Sequence, residues 1–232
     1  ALIAEHLDVG GLLALARPLG LGDPPGDGPT PPLAPLGQRI AVAADDAFAF
    51  SYPLVIEGWR RAGAEIVTFS PLADLSPDVD ADAVYLPGGY PELHAGTLAA
   101  AKRFLDGLRS AAARGAAVYG ECGGYMVLGR GLTDADGGRH EMAGLLPLET
   151  SFKEKKLHLG YRRVRALKES LLGNSGLAFR GHEFHYTGIV EEMGGDVLFQ
   201  AEDAVGNDLG AAGLRDGRVA GSFIHLIDRE GE

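Results

Sequence analysis

Cys122 is the single cysteine among 232 residues. An intrachain disulfide and a multi-cysteine metal site are therefore excluded. A lone cysteine is ordinarily a small buried hydrophobe, but its setting here points elsewhere. Residues 118–126, VYGECGGYM, run an apolar strand into a glycine-flanked turn and then into a helix. This is the strand–turn–helix elbow G-x-nucleophile-x-G with cysteine as the nucleophile. A turn that tight crowds its neighbours, and Gly120 and Gly124 relieve the crowding two residues on either side. The thiol then stands at a helix N-terminus, where the dipole favours thiolate. Backbone N–H groups at that helix start can receive an oxyanion. The chemistry expected of Cys122 is acyl transfer. The bland alternative is a buried strand-end cysteine with ordinary turning glycines.

An acyl-transfer cysteine needs a base within hydrogen-bond reach. Seven histidines are available. His6 lies far upstream and His94 opens a helix, so neither suits the role. His140 sits in a polar, glycine-rich loop, and His158, His182 and His185 lie on candidate strands. His225 ends the apolar run VAGSFIHL at the carboxyl end of its strand, where open α/β folds place their sites. It is the best candidate base. A second strand–turn–helix, LPGGYPE at residues 86–92, offers the N–H of Gly89 or Tyr90 to pair with that of Gly123 around an oxyanion.

The segment GHEFHYT, residues 181–187, alternates across a strand. His182 and Phe184 share one face, Glu183 and His185 the other. Glu121, His182, Glu183, His185 and Tyr186 are expected to meet the substrate or another domain at the mouth of the site; the alternative for GHEFHYT is a polar strand that ties down a loop. No further His or carboxylate spacing supports a metal there, and none is expected. Residues 153–168 hold seven Lys or Arg and one Glu, a local reversal in a chain of net charge −11. That stretch is either a solvated strand face or a patch that attracts polycarboxylates.

The elements that must hold these residues alternate strand and helix. Runs at 39–44, 64–70, 83–89 and 116–121 read as short buried strands, and 52–63, 91–115 and 122–132 as helical. After residue 157 the pattern becomes strands with turns: 157–166, 181–189, 196–203, 210–217 and 218–226. The reading is an α/β fold with a mixed, mostly parallel sheet and helices on both faces. Residues 18–38 are rich in Pro and Gly, and with Arg17 they hold seven prolines and five glycines, which marks an interdomain linker. Residues 1–17 read as the tail of a preceding domain, so the polypeptide is expected to extend upstream. The net negative charge argues against a general nucleic-acid binder. No apolar run is long enough to span a membrane, and the N-terminus lacks the pattern of a secretory signal.

PGGYPE, GECGGYM, GHEFHYT and a terminal strand ending in His occur here in that order. Together they make residues 39–228 resemble the glutaminase domain of the cobyrinic and hydrogenobyrinic acid a,c-diamide synthases, a class I glutamine amidotransferase. The resemblance implies a flavodoxin-like glutaminase at 39–232 in which Cys122 is the nucleophile and His225 activates it. It implies glutamine hydrolysis to supply ammonia for ATP-dependent amidation of the a and c acetates of a corrinoid in cobalamin biosynthesis. ATP and Mg would belong to an N-terminal synthetase domain, since no G-x-x-x-x-G-K-[ST] occurs in this chain. The expected setting is cytoplasmic, with a possible homodimer. The resemblance extends to amidotransferases of nickel-tetrapyrrole precursors, and the elbow alone to peptidase-like or glyoxalase-like proteins or a non-enzymatic fossil. One departure stands out. The acidic residue usual two positions after the histidine is Ile227 here. A Cys–His dyad is compatible with that, Asp228 has the wrong strand parity, and Glu121 is a candidate third member.

Overall fold

The computed structural model describes residues 7–16, 33–192 and 194–230. The chain divides into two units, Ala1–Thr30 and Pro31–Glu232. In the first, helix α1 (Val9–Leu15) is capped by Asp8, whose carboxylate accepts the Gly11 N–H at 2.9 Å. Leu13 and Leu15 on this helix are exposed. The rest of the expected domain tail, residues 1–6 and 17, lies outside the described residues, as do 18–32 of the expected linker. The linker reading is too long at its other end. Leu33 and Leu36 are buried in the core of the second unit, which therefore begins before Arg39.

Strands β1 (Arg39–Ala43), β2 (Glu65–Phe69), β3 (Ala83–Leu86) and β4 (Ala117–Glu121) form a parallel sheet in the order β2-β1-β3-β4. Their apolar runs are unbroken because both faces are covered. Ile40, Val42, Tyr85 and Tyr119 enter one core, and Ala41, Ala43, Val84 and Val118 enter the other. Helix α2 (Pro53–Arg61) packs Val55 and Trp59 into the first. Helices α3 (Ala95–Ala100), α4 (Lys102–Ala113) and α5 (Gly123–Leu128) fill the second with Leu98, Phe104, Leu108, Met126 and Leu128. The long helix expected over 91–115 is thus three pieces. A 3₁₀ turn (Pro91–Leu93) precedes α3, and Ala101, at φ −77° and ψ 74°, separates α3 from α4. Both helices still bury their apolar faces in the same core.

The later half is antiparallel. The sheet continues β4-β13-β12-β11-β8-β9-β14 through β8 (His158–Ala166), β9 (Ala178–His185), β11 (Asp196–Asp203), β12 (Asp208–Asp216), β13 (Val219–Ser222) and β14 (Ile224–Arg229). The apolar run VAGSFIHL, read as one strand, is two. β13 pairs in parallel with β4, whereas β14 pairs with β9 at the far edge of the sheet. Only Phe223 separates them in sequence. For two chain-adjacent strands to stand at opposite ends of this series, the antiparallel half must curl round towards β4. The bend is held at Ser222, whose Oγ accepts the Ile224 N–H at 3.2 Å. The segment expected as one strand over 181–189 likewise divides, β9 ending at His185 and β10 (Gly188–Glu192) beginning a second sheet. That sheet, in the order β10-β7-β5-β6, adds β5 (Gly131–Thr133), β6 (Arg139–Glu141) and β7 (Leu148–Ser151). β5 replaces the C-terminal part of the helix expected over 122–132.

Phe199 on β11 is fully buried and packs edge-to-face with Phe179 of β9 at 6.2 Å. Phe199→Ala is expected to lower the unfolding free energy by about 3–5 kcal/mol in denaturant titrations. Val205→Ala, in the exposed β11–β12 turn, is expected to change it by no more than about 0.5 kcal/mol.

Candidate active site

The elbow takes the strained form its sequence predicts. Cys122 has φ 47° and ψ −104°, a left-handed backbone that a residue with a Cβ adopts at a cost of about 1–3 kcal/mol. Its N–H donates to the Ser222 carbonyl at 2.8 Å, and its carbonyl accepts the Met126 N–H at 3.1 Å. Helix α5 is pressed against the end of β3. A Cβ on Gly124 would stand 2.0 Å from the Leu86 carbonyl oxygen, so only glycine allows that approach. A Cβ on Gly123 would lie 3.0 Å from the Gly89 nitrogen. The turn after β3 and the elbow after β4 therefore abut, with Gly89 and Gly123 side by side.

The thiol is buried, and its hydrogen bond runs 3.8 Å to the Phe184 carbonyl, not to His225. Cys122 opens on a cavity of about 120 Å³ that it shares with Glu92, Met126, Phe184, His185 and Tyr186. His225 lines an adjoining cavity of about 470 Å³ with Tyr52 and His182. Phe50, Tyr90 and Phe184 form part of both walls. Thus the Cys122 and His225 side chains stand on neighbouring cavities around Phe184.

Burial drives the two reactive groups in opposite directions. It pushes the Cys122 thiol up to about 12; the Gly123 N–H opposes this, while the charges of Glu92, Glu121 and Glu183 add to it. It drives His225 down to about 3, with His182 and His185 adding to the effect. The helix-start dipole, expected to favour thiolate, is outweighed. At neutral pH the pair is a thiol and a neutral imidazole.

Residues 39–232 match the CobB/CobQ-like glutamine amidotransferase domain. The chain belongs to this family. It is 63% identical over 199 residues to a hydrogenobyrinate a,c-diamide synthase of Sinorhizobium sp, covering 86% of this chain and 45% of the relative. It is 56% identical over 230 residues to one of Rhizobium meliloti (strain 1021), covering 97% and 51%. The chain thus spans about half the length of the curated relatives it matches. The solved structure of PurLQS from Thermotoga maritima has the same fold, with a TM-score of 0.56 at 19% identity over 82% of this chain and 87% of that one. The α/β class I glutamine amidotransferase fold and the use of glutamine as amide donor follow for this domain.

In this amidotransferase domain Ile227 stands where the acid two positions after the histidine is usual, and among the described residues no carboxylate is hydrogen-bonded to His225. Ile227 falls at a register shift between Leu226 and Asp228, and Asp228 lines a separate groove with Arg180. Glu121 is buried on the opposite face from Cys122. It accepts the Tyr85 hydroxyl at 2.8 Å and the Leu226 N–H at 3.1 Å, tying β14 to β4. Its role is therefore structural, and its place at the mouth of the site is corrected. What touches His225 is His182, directly opposite it in register, with ring centroids 4.7 Å apart. Tyr52 Oη and His182 Nδ1 are 3.0 Å apart. A Cβ on Gly88 would come 2.2 Å from His225 Cε1.

The two faces of β9 divide as the alternation predicts. Glu183 pairs with Arg162 at 2.7 Å and with His185 Nε2 at 2.8 Å. His185 stacks on Phe223 at 4.0 Å and on His158 at 4.6 Å. His158, Glu183 and His185 bring donor atoms within 4.8 Å of one another. The two imidazoles lie 3° from parallel, so their in-plane lone pairs do not converge on one point, and Arg162 already occupies the carboxylate. That geometry suits a stacked ion-pair network better than a cation. Tyr186 lies beyond β9 and lines the Cys122 cavity. Three of the seven cations in the basic stretch 153–168 are paired. Arg162 pairs with Glu183, Arg163 with Glu202 and Glu230, and Lys168 with Asp196. Sequence reasoning missed Tyr52, Gly88, Glu92 and Phe184 as site residues. Glu92 stood inside the quoted LPGGYPE run but read there as part of a turn.

Burial raises Glu121 from 4.5 to about 7, against its bonds from Tyr85 and the Leu226 N–H. A carboxyl whose folded value is raised contributes stability that is present below about 4.5 and is lost as pH climbs through about 7. Glu121→Gln is expected to flatten that decline. The wild-type minus variant difference in unfolding free energy should change by of the order of 3 kcal/mol between pH 4 and pH 8, measured by denaturant titration.

Proposed function

We propose that this domain hydrolyses glutamine and passes the ammonia to the other half of a hydrogenobyrinate a,c-diamide synthase, for amidation of the a and c acetates of a corrinoid. The observation that carries the reading is the left-handed Cys122 set against the Gly89 turn. The identity of 62–63% to relatives bearing that name supports the acceptor. ATP and Mg belong to the other half, and the cytoplasm is the inferred setting.

The chemistry runs in two halves. Cys122 Sγ attacks the side-chain amide carbon of glutamine while His225 takes the thiol proton. The oxyanion is held by the N–H groups of Gly123 and of Gly89 or Tyr90. His225 returns the proton to the amide nitrogen, the C–N bond breaks, and ammonia leaves a glutamyl thioester. Water then attacks with His225 as base, and collapse expels the thiolate, which regains its proton as glutamate departs. His182 flanks the imidazole, and His185 and Tyr186 wall the cavity of the nucleophile. The same face of β9, with Leu159 and Tyr161 exposed beside Phe184 and His182, is suited to meet the synthetase half.

In the full-length enzyme, Cys122→Ala is expected to cut glutamine-dependent amidation by more than about 10³-fold while ammonia-dependent amidation stays within about twofold. Product chromatography with each nitrogen donor checks this, and loss of both activities would sink the division of labour.

A further inference from the structure

The Cys122 cavity is lined mainly by apolar and aromatic side chains, among them Met126, Phe152, Phe184 and Tyr186. One charged side chain there has an unmatched atom. Glu92 is half-buried as a residue, yet its Oε2 is sealed from solvent and has no hydrogen-bond partner among the described residues. Burial raises its carboxyl above the ordinary range; its own backbone N–H opposes this, and so does the field of Lys155, which is itself exposed. An unmatched buried carboxylate oxygen beside an apolar cavity is costly unless a donor or cation arrives to pair with it. Glutamine carries such a cation. Its α-ammonium is joined to the amide carbon only through Cα, Cβ and Cγ. A substrate whose amide reaches Cys122 must therefore place its ammonium only a few bonds away, within reach of the cavity that Cys122 shares with Glu92.

We propose that Glu92 is the residue that reads the α-ammonium of glutamine. The assignment rests on Cys122 being the nucleophile, and it adds a coupling. Glu92 is the largest charge opposing the Cys122 thiolate. Pairing its carboxylate with an ammonium cancels that field at the moment the amide arrives. Substrate binding thereby favours ionisation of its own nucleophile, and a ligand lacking the ammonium leaves the field in place. Glu92 is thus a specificity residue that also acts on the thiol through space.

The test uses the full-length enzyme and two alkylating probes, a glutamine-shaped diazoketone and the same diazoketone without its α-amino group. Labelling of Cys122 is followed by mass spectrometry. Wild type is expected to favour the amino-bearing probe by about tenfold or more, the worth of a charge-assisted hydrogen bond. In Glu92→Gln the preference should fall below about twofold, and the KM for glutamine should rise about tenfold with a smaller change in kcat. A wild-type preference near one overturns the proposal without any variant. So does a preference that persists in Glu92→Gln. Cys122 labelled without preference sinks Glu92 alone, whereas no labelling of Cys122 by either probe overturns the nucleophile and this proposal together.

Discussion

Cys122 holds a positive φ because three strand ends close around it. β4 is flanked by β3 and β13, and all three run parallel. Parallel strands end on the same edge, so the turn after β3, the elbow after β4 and the bend after β13 meet there. Those segments carry Gly88 and Gly89, Cys122, and Phe223 leading to His225. The strain at Cys122 is offset by contacts with both neighbours. Its N–H is fastened to Ser222 of β13, and α5 is set on the Leu86 carbonyl of β3. Larger side chains at Gly124 or Gly221 would part these layers. A Cβ on Gly221 would come 2.6 Å from the Gly120 carbonyl oxygen and from the Tyr125 ring. The glycines of the elbow thus act as much through spacing between strands as through backbone freedom at the turn.

That closeness has an electrostatic consequence. A site assembled at the junction of three buried strand ends is dry, and dryness disfavours charge of either sign. Both Cys122 and His225 are accordingly held neutral. Three carboxylates, Glu92, Glu121 and Glu183, add negative field at the thiol. Of these, Glu121 is engaged by Tyr85 and Leu226, and Glu183 by Arg162 and His185. Glu92 alone of the three has a carboxylate oxygen without a partner among the described residues. The resting state is guarded: a buried thiol donating to a carbonyl is a poor nucleophile towards adventitious electrophiles.

The elbow and the parallel strands were legible because each is a local signal. Apolar runs of strand length between helices can bury both faces only in a parallel sheet, and Gly120-Glu121-Cys122-Gly123-Gly124 restricts its own backbone. Non-local features were not legible. VAGSFIHL is mostly apolar, and nothing in its composition marks Phe223 as the point where the chain leaves β4 for β9. The break follows from which strands stand beside it, through the single Ser222 turn. β5, β6 and β7 are three or four residues long with mixed polarity, below the length at which alternation is readable. Glu121 shows the same gap at a single residue. Adjacency to the nucleophile suggested a catalytic part, but strand parity sends its side chain to the opposite core.

His225 is the point where chemistry and fold constrain each other most. In a Cys–His–acid arrangement the carboxylate orients the imidazole and stabilises its charged form. Here the position two after His225 is Ile227, at a register shift that turns the following Asp228 into another groove. The ring is oriented by contact instead. It is enclosed between the chain at Gly88, which has no side chain to move it, and His182, which is stacked against it across the β9–β14 pair. His182 is in turn anchored through Tyr52, the N-cap residue of α2. Stacking fixes a plane without adding a counter-charge, so this arrangement supplies orientation while leaving the imidazolium unstabilised. On the proposed assignment of His225 as the base, charge compensation comes from the Cys122 thiolate formed in the same step.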